Sequence, residues 1–162
     1  MSTVKDIKRI DSQDVIPEYI DSLKNYLVIA ANIHEIKTDF DANRAISAMS
    51  EGMSLLSGYL GSVTYSFNMA KSDVKRAKAI AALERFPEYC QAMNIAKPTA
   101  DLREHFVNLD VDVQSAQQKE AMYEAMLEQL SLIKMNLIMA QSSIKASRYG
   151  FNETRQMSGN IV

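Results

Sequence analysis

The sequence predicts an all-α protein of long amphipathic helices, packed as an antiparallel helical bundle or coiled-coil-like hairpin. An apolar series steps by alternating three and four residues from Ile46 to Ala81. This spacing averages about 3.5 residues, the period of a helix that packs along one continuous side. A second such series runs from Tyr123 to Ile144. Only 5 Gly and 3 Pro occur among 162 residues, and so few helix breakers favour long helices over sheets.

The expected layout is a flexible arm over 1–14, a single helical domain over 15–149 and a flexible tail over 150–162. The first helix is expected from about Pro17 to Lys37, because its apolar residues share one side and proline is tolerated in a first turn. A turn at 38–41 follows, and Asp41 is a candidate cap for the next helix.

The second helix carries the first apolar series. Because glycine costs about 1 kcal/mol relative to alanine inside a helix, its glycines predict either a kink or break, or the close approach of another backbone. The helix is expected to end near Arg85, since Pro87 disfavours helical geometry at the residue before it. Three glycines lie in its first half: Gly52, Gly58 and Gly61.

The rest of the chain reads as a connection over 86–98, a short helix over 100–107 and a last long helix over 110–148. The apolar side of the last helix is broad, as expected for a helix that contacts two neighbours. The helices together offer more apolar surface than one short chain is expected to cover, which favours a homo-oligomer.

Basic residues cluster near the end of the second helix. The net charge is −2, but residues 71–103 contain 7 basic and 4 acidic residues. Cations about one helical turn apart match a polyanion such as nucleic acid, while the alternative is a solvated lysine face that keeps the helix soluble. Four of these cations step by four, three and seven on one helical face, with Arg76 adjacent: Lys71, Lys75, Lys78 and Arg85.

Two aromatic residues follow Arg85 and are candidates for stacking on bases, Phe86 and Tyr89; packing in the core is the alternative. A second basic group follows the last apolar series, and its simplest role is to complement the helix dipole. It comprises Lys145, Arg148 and Arg155.

No catalytic, metal-binding or cofactor-binding constellation is apparent, so we expect a protein that is not an enzyme. His34 and His105 have no companion ligand nearby, and Cys90 has no histidine close in sequence. The acidic pair Asp110 and Asp112 resembles a helix cap. We find no apolar run long enough to span a membrane and no signal peptide, so the expected location is the cytoplasm.

Several runs, in order, resemble the UvsY-type recombination mediators of phages over roughly residues 50–150. A long helix ends in the basic run Lys71-Ser-Asp-Val-Lys-Arg-Ala-Lys78. The triplet Lys97-Pro-Thr99 and the run Leu102-Arg-Glu-His-Phe-Val-Asn-Leu-Asp-Val-Asp-Val113 follow. A long amphipathic helix then ends in Ser143-Ile-Lys-Ala-Ser-Arg148.

This resemblance implies a small helical protein that assembles into a ring, binds single-stranded DNA and helps load a recombinase onto DNA coated by a single-strand-binding protein. It places the protein in the host cytoplasm if it is phage-encoded. DNA contacts would fall on Lys71, Lys75, Arg76 and Lys78, with Arg85 beside them. Self-association would use the last helix: Tyr123, Met126, Leu130, Ile133, Leu137 and Ile144.

The alternative function is a non-enzymatic helical oligomerisation or protein-interaction protein without nucleic-acid binding. A phage assembly factor or an inhibitor of a host protein would fit this description. The same apolar helices would then bind a protein, and the basic face would serve solubility alone.

Overall fold

The computed structural model describes the backbone of residues 15–158 and the side chains of residues 21–147. These residues form helices and no strand, which confirms the all-α prediction. A 3₁₀ turn, Ile33–Glu35, follows the first helix, and a π-helical segment, Ala81–Arg85, follows the second. The predicted arm over 1–14 lies outside the described residues. The α-helices are α1 (Val15–Ala31), α2 (Asp39–Ile80), α3 (Phe86–Ala92), α4 (Ala100–Leu109) and α5 (Val111–Ser158).

The start of α2 is capped by Thr38 and not by Asp41. The Asp41 backbone N–H donates to Thr38 Oγ1 at 3.1 Å, and the Thr38 hydroxyl donates to the Asp41 carboxylate at 2.6 Å. This reciprocal pair satisfies a backbone donor that has no partner inside the helix. The predicted cap is therefore one partner of the capping pair.

Helix α2 passes through all three of its glycines without a break. At Gly52, a Cβ atom would lie 2.8 Å from Cγ of Tyr26 in α1, so the tyrosine side chain occupies the space that glycine leaves open. No atom lies within 4 Å of such a Cβ at Gly58 or Gly61. A tyrosine side chain, and not the predicted backbone, therefore approaches one glycine of the three.

Helical geometry continues beyond Arg85, contrary to the predicted end. The Phe86 N–H donates to the carbonyl of Ala81, five residues earlier, and α3 continues to Ala92. Pro87 lies in the first turn of α3, directly after the π-helical segment, and the backbone stays helical at both Arg85 and Phe86. The proline therefore coincides with a change of helix type, and the helix ends seven residues later than predicted.

Two caps define the last helices. Thr99 Oγ1 accepts from the Leu102 N–H at 3.2 Å at the start of α4. Asp110 Oδ1 accepts from the N–H groups of Asp112 and Val113 at the start of α5, as the cap prediction anticipated for Asp110. Helix α5 continues to Ser158, past the residue at which the tail was predicted to begin.

Among the described residues, the chain divides into two compact units, one containing Ser62–Leu127 and the other containing residues 15–61 and 128–158. In the first unit, one cluster of buried residues comprises Ala81, Val107 and Val113. In the second unit α2 packs against α5, and α1 covers this core with Ile29 and Ala30. None of the described helices is long and apolar enough to cross a membrane. The buried residues of the second core are Ala42, Ala45, Met49, Ala140 and Ile144.

Candidate nucleic-acid interface

Three exposed lysines lie along one side of α2, close to its end. At 100° per residue, Lys71, Lys75 and Lys78 fall within an arc of about 60°. Val74 and Ala70, on another side of the same turns, are buried. The packed side of α2 thus holds the helix in place while the three ammonium groups face solvent, and we call this set the lysine face.

The ammonium group of Lys71 lies 4.2 Å from the centroid of the Phe67 ring, one turn earlier on α2. This contact is a cation–π interaction, which orients the side chain without neutralising its charge. Among the described residues, the ion pairs found are those of Arg85, and none involves the lysine face. The three charges of the lysine face are therefore available to an anion.

Arg76 is exposed but lies about 100° around the helix from Lys75. It therefore belongs to a different side of α2. Asp73 lies about 60° further around the helix from Arg76, away from the three lysines, and its side chain is half-buried. The structure groups the three lysines and leaves Arg76 apart from them.

Arg85 is held by two carboxylates at the start of α5. Its Nη1 donates to Oδ1 and Oδ2 of Asp110 at 2.9 and 2.8 Å, and its Nη2 donates to Asp112. The Asp110 side chain is only 6% exposed. The charged hydrogen bond from Arg85 holds the pKa of Asp110 below its usual range, against the opposing effect of burial.

The same two carboxylates raise the pKa of Arg85, chiefly through their hydrogen bonds. Releasing Arg85 to a phosphate would leave Asp110 buried and unpaired, which is costly. We therefore leave Arg85 out of the lysine face. The sequence placed Asp110 and Asp112 at the start of the last helix, but it gave no sign that Arg85 would pair with them.

The predicted stacking residues lie in a cluster of rings. Phe86 is 2% exposed, and its ring centroid lies 5.6 Å from that of Phe106. The guanidinium carbon of Arg103 lies 5.5 Å from the centroid of the Phe86 ring. Phe86 is thus a core residue and not a surface for bases. The ring centroid of Tyr89 lies 5.0 Å from that of Phe106. Tyr89 is half-buried and lines a groove together with Leu102.

The residues considered for other chemistry show no site in the described part of the chain. Cys90 is a free thiol and is buried. Neither His34 nor His105 belongs to a group of three potential metal ligands among the described residues.

The residues predicted for self-association lie largely inside the chain. Leu137 is fully buried and Ile133 is half-buried, so this side of α5 contacts the chain's own helices. A second copy would have to use other residues. The buried members are Tyr123, Met126, Leu130, Leu137 and Ile144.

The sequence reading missed a second apolar side of α5. Leu132, Met135 and Met139 step by three and four, like the buried series, yet each is more than half exposed. Ile138 is 44% exposed and lies next to them. The spacing of these residues was the available signal.

No family model, curated protein or solved structure matches this chain. The likeness to UvsY-type mediators therefore stays a prediction from the order of short sequence runs.

Proposed function

We propose that this protein is a non-enzymatic accessory protein that binds single-stranded DNA through the lysine face. The observation that carries the proposal is the lysine face itself, which contains three exposed ammonium groups without a carboxylate partner among the described residues. At a rise of 1.5 Å per residue, they extend along about 10 Å of α2. Such a row can contact several consecutive phosphates and release their counterions.

Salt dependence tests the number of contacts. Each phosphate contact with a single strand contributes about −0.7 to the slope of log K against log salt. Three contacts therefore predict a slope of about −2. Fluorescence anisotropy with a labelled oligonucleotide measures the affinity across the salt range. A Lys71→Gln variant should reduce the slope by about 0.7.

Charge reversal tests the location of the site. Changing Lys71, Lys75 and Lys78 together to Glu should abolish binding while the helical circular dichroism spectrum is unchanged. The matched control changes three exposed lysines outside the face to Glu, with the same change in net charge. If both triple variants bind alike, binding is not located on the lysine face. The control lysines are Lys24, Lys37 and Lys97.

The resemblance extends the proposal to a mediator that helps load a recombinase onto DNA coated by a single-strand-binding protein, in the host cytoplasm of a phage. The corresponding assay measures how fast a recombinase assembles on coated DNA with and without this protein. The charge-reversed triple variant should lose the stimulation. A variant that cannot bind DNA yet stimulates fully would contradict this role.

We also propose that α2 and α5 run antiparallel, as the sequence suggested. In the unit containing Ser62–Leu127, Val113 near the start of α5 shares a core with Ala81 just beyond the end of α2. Tyr123, ten residues further along α5, lines a pocket with Ser66, fifteen residues earlier than Ala81. Opposite chain directions account for both contacts.

The second candidate is a protein-interaction protein without DNA binding. The exposed apolar residues of α5 favour it, because contiguous apolar patches mark interaction sites. One result distinguishes the two candidates. An interaction protein should not bind the oligonucleotide, and its charge-reversed triple variant should still bind the protein partner.

A further inference from the structure

A small pocket lies between α2 and α5 within the unit that contains Ser62–Leu127, and we call it the α2–α5 pocket. Its volume is about 190 Å³, somewhat larger than an engineered protein cavity of about 150 Å³ that binds benzene. The pocket therefore has room for a small organic molecule. Residues three and four apart on α2 and four apart on α5 line it, among them Ser66, Met69, Asp73, Lys119 and Tyr123.

The α2–α5 pocket contains a buried hydroxyl group. Ser66 is 6% exposed, and no hydrogen bond of its side chain is found among the described residues. Exposed serines of the same two helices differ, because Ser57 and Ser147 each donate to the carbonyl four residues earlier. Since buried polar groups nearly always have a hydrogen-bond partner, the Ser66 hydroxyl is available to a molecule that enters the pocket.

Two opposite charges line the same pocket without pairing. Asp73 and Lys119 are both half-buried, and the ion pairs found in the described part of the chain are those of Arg85. A half-buried charge without a partner is poorly compensated for its lost hydration. A ligand with its own positive and negative groups would supply both partners at once. A few convergent polar groups in a pocket with apolar walls are typical of small-molecule sites.

We propose that the α2–α5 pocket binds a free α-amino acid with an apolar side chain. The α-ammonium group of the ligand pairs with Asp73, and its α-carboxylate pairs with Lys119 and accepts a hydrogen bond from Ser66. The apolar side chain packs on Tyr65 and Met69, which line the pocket and are 47% and 43% exposed. A molecule with only one charge leaves the other protein charge unpaired, so the pocket selects a zwitterion.

The α2–α5 pocket is separate from the lysine face. Asp73 lies at least about 140° around α2 from each of the three lysines. An amino acid in the pocket and a DNA strand on the lysine face would therefore contact different sides of the helix. Amino-acid binding goes beyond the proposed DNA binding, and either can fail without the other.

Isothermal titration calorimetry of the full chain with L-leucine, L-methionine and L-phenylalanine tests the proposal. At least one of them should bind with a dissociation constant below about 1 mM. Analogues of the amino acid that binds best then remove one charge each. For leucine, 4-methylpentanoate lacks the ammonium group and 3-methylbutylamine lacks the carboxylate. Each analogue should bind at least about tenfold more weakly, because a charge-assisted hydrogen bond is lost.

Substitutions locate the site. Asp73→Asn and Lys119→Gln should each raise the dissociation constant at least about tenfold, and Ser66→Ala should raise it about threefold to tenfold. The matched controls Glu51→Gln and Lys134→Gln make the same charge changes at exposed residues of α2 and α5. Both controls should bind like the wild type, and circular dichroism should show equal helicity in all variants.

Three outcomes would overturn the proposal. The first is that none of the three amino acids binds with a dissociation constant below about 1 mM, as expected if only water bridges Asp73 and Lys119. The second is an analogue with a single charge that binds as tightly as its amino acid. The third is binding that Asp73→Asn and Lys119→Gln leave unchanged, which would place the amino acid elsewhere on the protein.

Discussion

The three glycines of α2 allow one substitution to be compared in three environments of the same unit. Glycine to alanine in a helix interior removes backbone freedom from the unfolded chain and stabilises by about 1 kcal/mol. Gly58 and Gly61 offer open space for the new methyl group. Gly58→Ala and Gly61→Ala should therefore each raise the free energy of unfolding by about 1 kcal/mol.

Gly52→Ala should behave differently, because its methyl group meets Tyr26. The added Cβ would lie 2.8 Å from Cγ and 3.0 Å from Cβ of that tyrosine. Both atoms are close to the backbone of α1, so the ring cannot turn away without moving its helix. Overpacking of this kind costs about 1–3 kcal/mol, which cancels or exceeds the gain. The result should range from no change to a loss of about 2 kcal/mol.

Urea denaturation followed by far-UV circular dichroism measures the three variants against the wild type. For a protein of this size, 1 kcal/mol corresponds to about 2–4 °C in melting temperature. In a Tyr26→Ala background the ring is absent and only the contact with Cβ remains, so Gly52→Ala should be more favourable there than in the wild-type background. If Gly52→Ala stabilises by about 1 kcal/mol in the wild-type background, the packing of Tyr26 on Gly52 is refuted.

Three further predictions follow from the start and middle of α5. The pKa of Asp110 is lowered in the folded protein, so the carboxylate stabilises the fold at pH values above its ordinary pKa of 3.8, and this stabilisation is lost as the pH falls through the lower folded pKa. The free energy of unfolding of Asp110→Asn, measured as the pH is lowered, should lack this contribution. Arg85→Gln should lower the melting temperature but leave the affinity for single-stranded DNA within about twofold, as anisotropy would show. Leu137→Ala should cost about 2–5 kcal/mol in urea denaturation, whereas Leu132→Ala should cost less than about 1 kcal/mol.

Periodicity predicted the helices well because it is a local property. The series from Ile46 to Ala81 lies on helix, and the last series lies within α5. The continuation through Pro87 was missed, because the rule that a helix ends before proline assumes regular α geometry on both sides. The π-helical segment Ala81–Arg85 places the proline in the first turn of a new α segment.

The candidate site was predicted less well, because it depends on contacts between distant residues. Lys78 and Arg85 are seven residues apart and look equivalent on the helix. Their difference arises from Asp110, which lies 25 residues beyond Arg85 in sequence. No local pattern can tell a free cation from one that a later helix start will neutralise.

The two apolar sides of α5 show the same ambiguity for association. The stripe from Tyr123 to Ile144 has seven regularly spaced apolar residues, so it was the natural choice for self-association. A regular apolar stripe, however, indicates only that some helix covers it. The structure shows that the chain itself covers most of it. The strip beginning at Leu132 is shorter, and Glu128 precedes it where an apolar residue would have made it conspicuous. That charge hid the strip from a hydrophobicity pattern.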